Sequence, residues 1–319
     1  MAIYFESGIN RRSANEDSFC QMELRVNHEA AVSAMVVTDG MGGLSGGKFY
    51  SETAVKLWFE ALLKRIMSHR FKDCSLEQQI ETLEEFSMEI PEKINRELYK
   101  RGLDAGIKGG TTLSAAIHFW DTWIVSNCGD SPVYCLKNGE LVLVSEIQNA
   151  AERMVSEGKT RPGTILYHQN KNRLLQYLGR RERVEPHVVR VADRQLQCLL
   201  IGSDGAFGNI DEERLKNILE AGLAEPDNLI KTLFFHARES GEEDNQTAVL
   251  YVKEEKKEPE DVKTVSAFAP DVWQTEMSCG DIFNVSQTPN GSYVKLEEEK
   301  TMTFRERFLK KHRMGGKDL

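Results

Sequence analysis

The chain has 319 residues, which is enough to bury one large core or two smaller ones, so length alone leaves the number of domains open. Its composition, with 40% hydrophobic and 29% charged residues, is that of an ordinary soluble globular protein. The formal net charge of −9 argues against nucleic acid or an anionic membrane as the main partner.

The N-terminal third predicts one strand followed by two helices. Residues 30–38 are apolar and rich in Val and Ala, which is typical of a buried strand, and they run directly into Asp39-Gly40. Apolar side chains then recur at helical spacing over residues 52–69 and again over residues 76–100. Two long helices are therefore expected to follow the strand.

The middle of the chain predicts four short strands. Asn138-Gly139 separates the last two, and this dipeptide is the strongest short-range hairpin signal. Four successive strands of this kind are expected to form an antiparallel meander. The predicted strands are residues 113–119, 123–127, 133–136 and 141–144.

The last third predicts two helices, one capped by Asp211 and the next by Asp227. Strands in runs and helices in pairs favour an α+β layered fold over an alternating parallel sheet. After Glu254 the sequence becomes highly charged and contains a proline, as expected of a linker. We therefore predict one domain over residues 1–254 and a tail over residues 255–319 that is either partly disordered or a docking or regulatory segment.

Acidic residues lie beside apolar, strand-like runs at several distant places. Asp39-Gly40 and Asp204-Gly205 each follow such a run, Asp244-Asn245 precedes one, and Asn15-Glu16-Asp17 lies near the N-terminus. Two unit charges about 4 Å apart repel by roughly 4 kcal/mol at an effective dielectric of 20, so a cluster would strain the fold without a cation. Oxygen ligands without a Cys/His set favour Mg²⁺ or Mn²⁺ over zinc. This pattern predicts a metal enzyme.

Six short motifs occur in the order RSANEDS, DGMGG, GGTT, NCGDSP, SDG and EDNQT. In that order they resemble the metal-dependent protein phosphatase family, the protein phosphatase 2C class, from about residue 8 to residue 252. An Asp-Gly pair alone is a common turn sequence, so the order carries the resemblance. The resemblance implies an α+β fold, a four-layer α-β-β-α sandwich with a central antiparallel β-sandwich and a dinuclear metal cleft at one end. Met41 follows Asp39-Gly40, as in bacterial-type members.

The resemblance also implies a role for each acidic residue. Asp39 would bridge two Mn²⁺ or Mg²⁺ ions, and the Gly40 carbonyl would help to bind one of them. Asp204 and Asp244 would ligate the other ion, and Glu16 would hold a metal-bound water. A lone Asp-Gly is more simply a turn or a helix cap, whereas the set of motifs favours the metal interpretation.

The implied reaction is hydrolysis of phosphoserine and phosphothreonine by direct attack of a metal-bridging hydroxide, without a phosphoenzyme. Asp17 would orient solvent or ligands. Arg12 lies four residues before Glu16, where the family places its phosphate-binding arginine, and a guanidinium can bind two phosphate oxygens at once. Arg11 is interpreted as a solvated surface charge.

Two regions depart from the family pattern. Asp130 matches a third, weaker metal site, but Gly208 stands where a second aspartate of that site is expected, so a turn-forming role for Asp130 is equally open. Residues 144–179 align only loosely with the variable flap beside the cleft. His168, within this region, is interpreted as a surface loop histidine. The sequence therefore defines the chemistry better than it defines the choice of substrate.

Two other functions stay open from sequence alone. Residues 42–48 (GGLSGGK) nearly spell a phosphate-binding loop, but Phe49 replaces the Ser or Thr that such a loop needs for Mg²⁺. A catalytically weak or inactive phosphatase fold, used as a binding or regulatory module, is the second alternative.

Three sequence patterns that the chain lacks indicate where in the cell the protein is expected to act. It has no signal-peptide pattern, no apolar run of the roughly 20 residues that span a bilayer, and no zinc-type spacing among its six cysteines. The prediction is a monomeric cytoplasmic phosphatase that acts on phosphoproteins, including a Ser/Thr kinase and its targets.

Overall fold

A computed structural model of the chain describes residues 2–26, 30–42, 46–253 and 275–279. Thirteen strands and eight helices occur among these residues. The strands are β1 (Ala2–Gly8), β2 (Ser18–Arg25), β3 (Ala31–Thr38), β4 (Gly40–Met41), β5 (Gly110–Thr111), β6 (Leu113–Phe119), β7 (Thr122–Cys128), β8 (Val133–Lys137), β9 (Glu140–Leu143), β10 (His187–Ala192), β11 (Leu196–Gly202), β12 (Gln246–Val252) and β13 (Thr275–Cys279). The helices are α1 (Gly46–Met67), α2 (His69–Lys72), α3 (Leu76–Ala105), α4 (Ala150–Ser156), α5 (Ile165–Asn170), α6 (Asp204–Phe207), α7 (Glu212–Gly222) and α8 (Pro226–Glu239).

Two antiparallel sheets form the centre of the molecule. The first has the strand order β1-β12-β11-β8-β9, and the second has the order β10-β7-β6-β3-β2-β13. Every pairing within them is antiparallel. The short strands β4 and β5 form a separate two-stranded sheet just beyond the end of β3.

The core lies in three layers that follow from the alternation of side chains along each strand. Inward-facing residues of both sheets, such as Met35, Trp123 and Tyr251, pack together between the sheets. The outer face of the six-stranded sheet packs against α1 and α3, for example at Trp58. The outer face of the five-stranded sheet packs against α7 and α8, for example at Leu233. This is the predicted four-layer α-β-β-α sandwich.

All four strands predicted in the middle of the chain are present, within about two residues, but their predicted arrangement as one meander is wrong. Strands β6 and β7 pair in the six-stranded sheet, whereas β8 and β9 pair in the five-stranded sheet. The chain crosses between the sheets at residues 129–132. Alternation of apolar residues identifies a strand but does not specify its partner, which depends on contacts distant in sequence.

The hairpin predicted at Asn138-Gly139 is present. Lys137 pairs with Glu140, and both turn residues have positive φ angles, 54° for Asn138 and 73° for Gly139. A two-residue turn with this backbone matches the twist of its flanking strands.

All the predicted helices are present, but some of them begin at residues other than those predicted. Helix α1 begins at Gly46, six residues before the predicted start, and its first turn contains two buried glycines, a residue type that disfavours helices. Asp211 caps α7 as predicted and accepts a hydrogen bond from the Arg214 N–H. Asp227, by contrast, lies inside the first turn of α8, after Pro226, and is not its cap.

Five residues of the predicted tail form strand β13, which pairs with β2 at the edge of the six-stranded sheet. The predictions for the rest of the tail fall on residues 254–274 and 280–319, which lie outside the described residues. None of the helices in the described part of the chain is long and apolar enough to cross a membrane.

Candidate active site

The acidic residues singled out in the sequence lie at one end of the β-sandwich. Ser18 pairs with Thr38, so the residues just before β2 and just after β3 share an end of the six-stranded sheet. Gly202 pairs with Ala248, which places the end of β11 beside the start of β12 in the facing sheet. Stacking of the two sheets therefore brings four distant chain segments to the rim of one cleft.

The backbone of Asp39 is fixed by the two threonines of the GGTT motif. The Asp39 N–H donates to Thr112 Oγ1 at 2.9 Å. Its carbonyl accepts from the Thr112 N–H and from the Thr111 hydroxyl, each at 2.9 Å. Thr112 Oγ1 in turn lies 2.7 Å from Ser131 Oγ, in the NCGDSP motif. Two of the motifs thus act by holding the aspartate in place.

Glycines 40 and 47 allow the loop after β3 to pack tightly against the N-terminal acidic loop. A Cβ atom at Gly40 would overlap the Gly47 carbonyl and lie 2.6 Å from the Glu16 carbonyl oxygen. A Cβ atom at Gly47 would lie 2.8 Å from Glu16 Cδ. Lys48 donates to the Asp17 carbonyl at 3.1 Å. These contacts give Gly47 and Lys48, two residues of the GGLSGGK run, a packing role that needs no bound nucleotide.

Asn245 ties the N-terminal loop to the start of β12. Its Oδ1 accepts from the Glu16 N–H at 2.9 Å, and its Nδ2 donates to the carbonyls of Ala14 and Ile9 at 2.9 and 3.2 Å. The side chain is 4% exposed. The sequence analysis placed Asn245 in a motif but gave it no role, because its partners lie more than 200 positions away.

Asp17 is fixed by a hydrogen-bond relay from the facing sheet. The Ser203 hydroxyl donates to Asp17 Oδ2 at 2.8 Å, and the Thr247 N–H donates to Ser203 Oγ at 3.1 Å. Burial raises the pKa of Asp17 to about 7, and the charges of Asp204 and Asp244 add to the effect. Ser203 is a further site residue that the sequence analysis missed.

Burial and neighbouring negative charges also raise the pKa values of Asp39, Asp130 and Asp204. Burial raises the pKa of Asp39 well above its usual value, and the charges of Asp17 and Asp204 raise it further. Burial and the Asp204 charge raise the pKa of Asp130 to about 8. Asp204 is exposed to water at the cleft mouth, yet desolvation by the surrounding protein is the largest cause that raises its pKa. The charge of Asp244 is the second largest cause. The aspartates thus lie within electrostatic range of one another.

Arg12 provides a positive charge at this cluster. Its Nη2 lies 2.6 Å from Asp244 Oδ2, and the charges of Glu16 and Asp204 also raise the pKa of its guanidinium. Arg11 pairs instead with Glu243 at 2.5 Å, further out on the exposed surface. The two adjacent arginines therefore have different surroundings, and the phosphate-binding role of Arg12 stays a prediction.

The donor set at the cleft fits a hard divalent ion. Every candidate ligand is an oxygen atom, and Glu16 Oε1 is buried without a hydrogen-bond partner. Within residues 2–26, 30–42 and 46–253, however, no three acidic, histidine or cysteine side chains are grouped closely enough to hold an ion by themselves. Because Mg²⁺ keeps several water ligands and needs only one or two carboxylates, the two observations are compatible.

The residues that depart from the family pattern lie around the same end. The Asn149 side chain lies close enough to Asp130 to oppose the effect of burial on its pKa. Gly208 ends α6 with φ +56°, a backbone that disfavours an aspartate there. The third-site role of Asp130 therefore stays a prediction. His168 is exposed, as expected, but lies in helix α5 and not in a loop.

An antiparallel β-sandwich between helical layers, with an acidic, oxygen-only cleft at one end, is the architecture of a metal-dependent phosphatase. The family model described as protein phosphatase 2C matches residues 7–224, and the chain belongs to this family. The protein is therefore a phosphatase of a metal-dependent class, a conclusion that matches the resemblance in the sequence motifs.

Relatives and solved structures agree with this assignment. The chain is 30% identical over 244 residues to the serine/threonine phosphatase stp of Listeria monocytogenes, covering 75% of this chain and 90% of that protein. It is 25% identical over 254 residues to the protein phosphatase PhpP of Streptococcus pneumoniae, covering 78% and 96%. The fold is similar to that of a serine/threonine phosphatase of S. agalactiae, with a TM-score of 0.66, 24% identity and coverage of 79% and 99%.

Proposed function

We propose that this protein hydrolyses phosphoserine and phosphothreonine in phosphoproteins, using two Mn²⁺ or Mg²⁺ ions. The observation that carries the proposal is the convergence of Asp39, Asp204 and Asp244 from three distant strand ends, where their charges act on one another. Like charges in this arrangement favour a bound cation.

The oxygen-only side-chain chemistry of the cleft supports the following set of metal ligands. Asp39 and the Gly40 carbonyl, with Asp204 and Asp244, would hold the two ions, and Glu16 would bind one of them through water. When bound, such ions lower the pKa of water and neutralise charge on the phosphoryl oxygens.

The protein's own groups position the substrate for hydrolysis. Arg12 is proposed to bind two oxygens of the substrate phosphate in exchange for Asp244, with which it pairs at 2.6 Å in the structure. Asp17 is proposed to orient solvent or ligands beside Glu16, held by its bond to Ser203. A phosphate monoester that enters the cleft would thus meet the Arg12 guanidinium as its donor, while the carboxylates accept hydrogen bonds from water or hold the ions.

The partners follow from the substrate. Phosphoserine and phosphothreonine are made by ATP-dependent kinases, so we propose that the enzyme opposes a Ser/Thr kinase and acts on that kinase and its targets in the cytoplasm. Action as a monomer is part of the same proposal.

The test is metal-dependent turnover of an aryl phosphate and of phosphoserine and phosphothreonine peptides. We expect activity with Mn²⁺, a fall of at least about 100-fold in kcat/KM for Asp39→Asn and Asp204→Asn, and little change for the matched surface variant Asp104→Asn. A protein that binds Mn²⁺ by calorimetry but turns over none of these substrates would overturn the proposal and favour the inactive binding module.

A further inference from the structure

A second concave site lies at the opposite end of the six-stranded sheet from the acidic cleft. It is a cavity of about 530 Å³ whose polar lining residues come from β2, β3, β6 and the β6–β7 turn, and whose apolar lining residues are Ala30, Ala31 and Leu76. Ser33 in its wall lies six residues before Asp39 on β3, which corresponds to roughly 20 Å along a strand. The lining residues that matter here are Glu23, Ser33, His118, Trp120 and Asp121.

Two buried polar atoms in the cavity wall have no hydrogen-bond partner. Ser33 is 1% exposed and His118 is 9% exposed, yet neither Ser33 Oγ nor His118 Nε2 is bonded. Most buried polar side chains in proteins are bonded, and an unbonded one is destabilising unless something else pairs with it. Both atoms therefore point to a ligand.

These two residues belong to a polar row that crosses three strands. Ser33 is directly opposite Glu23 on β2 and directly opposite His118 on β6. Directly opposed side chains lie on the same face of a sheet, about 5 Å apart at Cβ. A carboxylate, a hydroxyl and an imidazole are thus aligned along one wall of the cavity.

The cavity wall carries two carboxylates, those of Glu23 and Asp121. None of the ion pairs among the described residues includes Glu23 or Asp121, whereas the nearby Lys253 is already paired with Asp193 at 2.6 Å. Trp120 stands on the rim, 45% exposed, with φ +57°, a backbone that bulky residues rarely adopt. The site therefore combines carboxylates with an accessible aromatic face.

We propose that this cavity binds an organic cation rich in N–H donors, a guanidinium or primary ammonium group. Glu23 and Asp121 would neutralise its charge, Ser33 and His118 would accept its N–H groups, and the Trp120 ring would contact the cation from the rim. Burial lowers the pKa of His118, which keeps one ring nitrogen available as an acceptor. A metal ion is a poorer fit, since no metal-holding group of three occurs among the described residues.

The test uses the full chain and agmatine, which carries one guanidinium and one ammonium group. Calorimetric titration is expected to show one site per chain, and Glu23→Gln and Ser33→Ala are each expected to weaken binding about tenfold or more. Exposed Glu60 on α1 provides the matched control, and Glu60→Gln is expected to leave the affinity unchanged. Phosphatase turnover is expected to be unchanged in all three variants, so the result is independent of the proposed reaction.

The experiment distinguishes two sources of the cation, a free small molecule and the basic RERFLKKHR segment near the C-terminus. A full-length variant in which the five Lys and Arg residues of that segment are replaced by Ser separates the sources. Tighter agmatine binding by this variant indicates that the chain's own segment competes for the cavity, and equal binding indicates a free cation. Both results support the site. Failure of both proteins to bind agmatine, or equal weakening by Glu23→Gln and Glu60→Gln, would overturn it.

Discussion

Arg11 and Arg12 are adjacent in the sequence, yet only Arg12 pairs with a carboxylate of the cluster. Arg12 bonds Asp244 at 2.6 Å, whereas Arg11 bonds the peripheral Glu243. A lysine at either position keeps the charge but loses the planar fork that can bind two oxygens. The conservative change should therefore have different effects at the two sites.

We expect Arg12→Lys to raise KM for an aryl phosphate about tenfold or more, because a bidentate, charge-assisted contact is replaced by a single one. Arg11→Lys is expected to change KM by less than about twofold. Steady-state kinetics at saturating Mn²⁺ measures both. Equal effects of the two changes would remove the assignment of Arg12 to the substrate phosphate.

Asn245 is the residue whose loss should disturb the cleft most without touching an acidic side chain. Asn245→Ala removes three hydrogen bonds from a buried position, and we expect it to lower the free energy of unfolding by about 2–3 kcal/mol. Activity should fall as well, because the Glu16 backbone loses its anchor. Urea unfolding is the measurement, and the exposed Asn217→Ala should stay within about 0.5 kcal/mol of wild type.

The site could be predicted only in part at the level of residues. Aspartates such as Asp39 and Asp204 were found because they follow apolar runs within short motifs. Ser203, Thr112 and Asn245 act through partners in distant segments, and no local pattern reports those contacts. Their motifs were visible in the sequence, but their positioning roles required the fold.

At the scale of helices and strands, a strong local sequence signal predicted reliably that an element is present. The residues at which elements begin and end were predicted less reliably. Helix α3 begins at Leu76 as predicted, because the Ser75 side chain and Gln78 form a reciprocal capping box. Its end at Ala105, five residues beyond the prediction, is set by Gly106 in the left-handed conformation. Six strands were not predicted: β1, β2, β4, β5, β10 and β13. Strand β2, for example, alternates apolar and polar residues, so it lacks the continuous apolar run that indicates β3.

The capping role of Ser75 at the start of helix α3 can be tested by substitution. Ser75→Ala removes the side chain that accepts the Gln78 N–H, and we expect the free energy of unfolding to fall by about 1 kcal/mol. Ser75→Thr keeps a hydroxyl at the cap and should retain most of that stability. Urea denaturation of the three proteins compares them directly, and an equal loss in both variants would contradict a capping role.

At the scale of the whole molecule, the sheet to which each strand belongs could not be predicted from local sequence patterns. The chain passes from β7 to β8 through four residues, and nothing in them indicates that it leaves one sheet for the other. That crossing matters to the site, because it places Ser131 beside Thr112 and so helps to hold Asp39. Only the family resemblance, through the order of its motifs, predicted the sandwich.

Metal binding by the cleft should be measurable as stability of the whole fold. A ligand at 100 times its dissociation constant stabilises the native state by about 2.7 kcal/mol. For a domain of this size each kcal/mol raises Tm by about 2–4 °C, so we expect saturating Mn²⁺ to raise Tm by about 5–10 °C over the protein in EDTA. Part of the gain comes from relieving the repulsion among the carboxylates of the cleft.

Three variants make this test specific. Asp39→Asn should lose most of the Mn²⁺-dependent shift, because Asp39 is the carboxylate assigned to both ions. Asp104→Asn, on the exposed face of α3, should keep all of it. Asp130→Asn should also keep most of the shift, since Gly208 leaves the third site without its second aspartate. An undiminished shift in Asp39→Asn would show that Mn²⁺ binds elsewhere, and the assigned metal cleft would then be wrong.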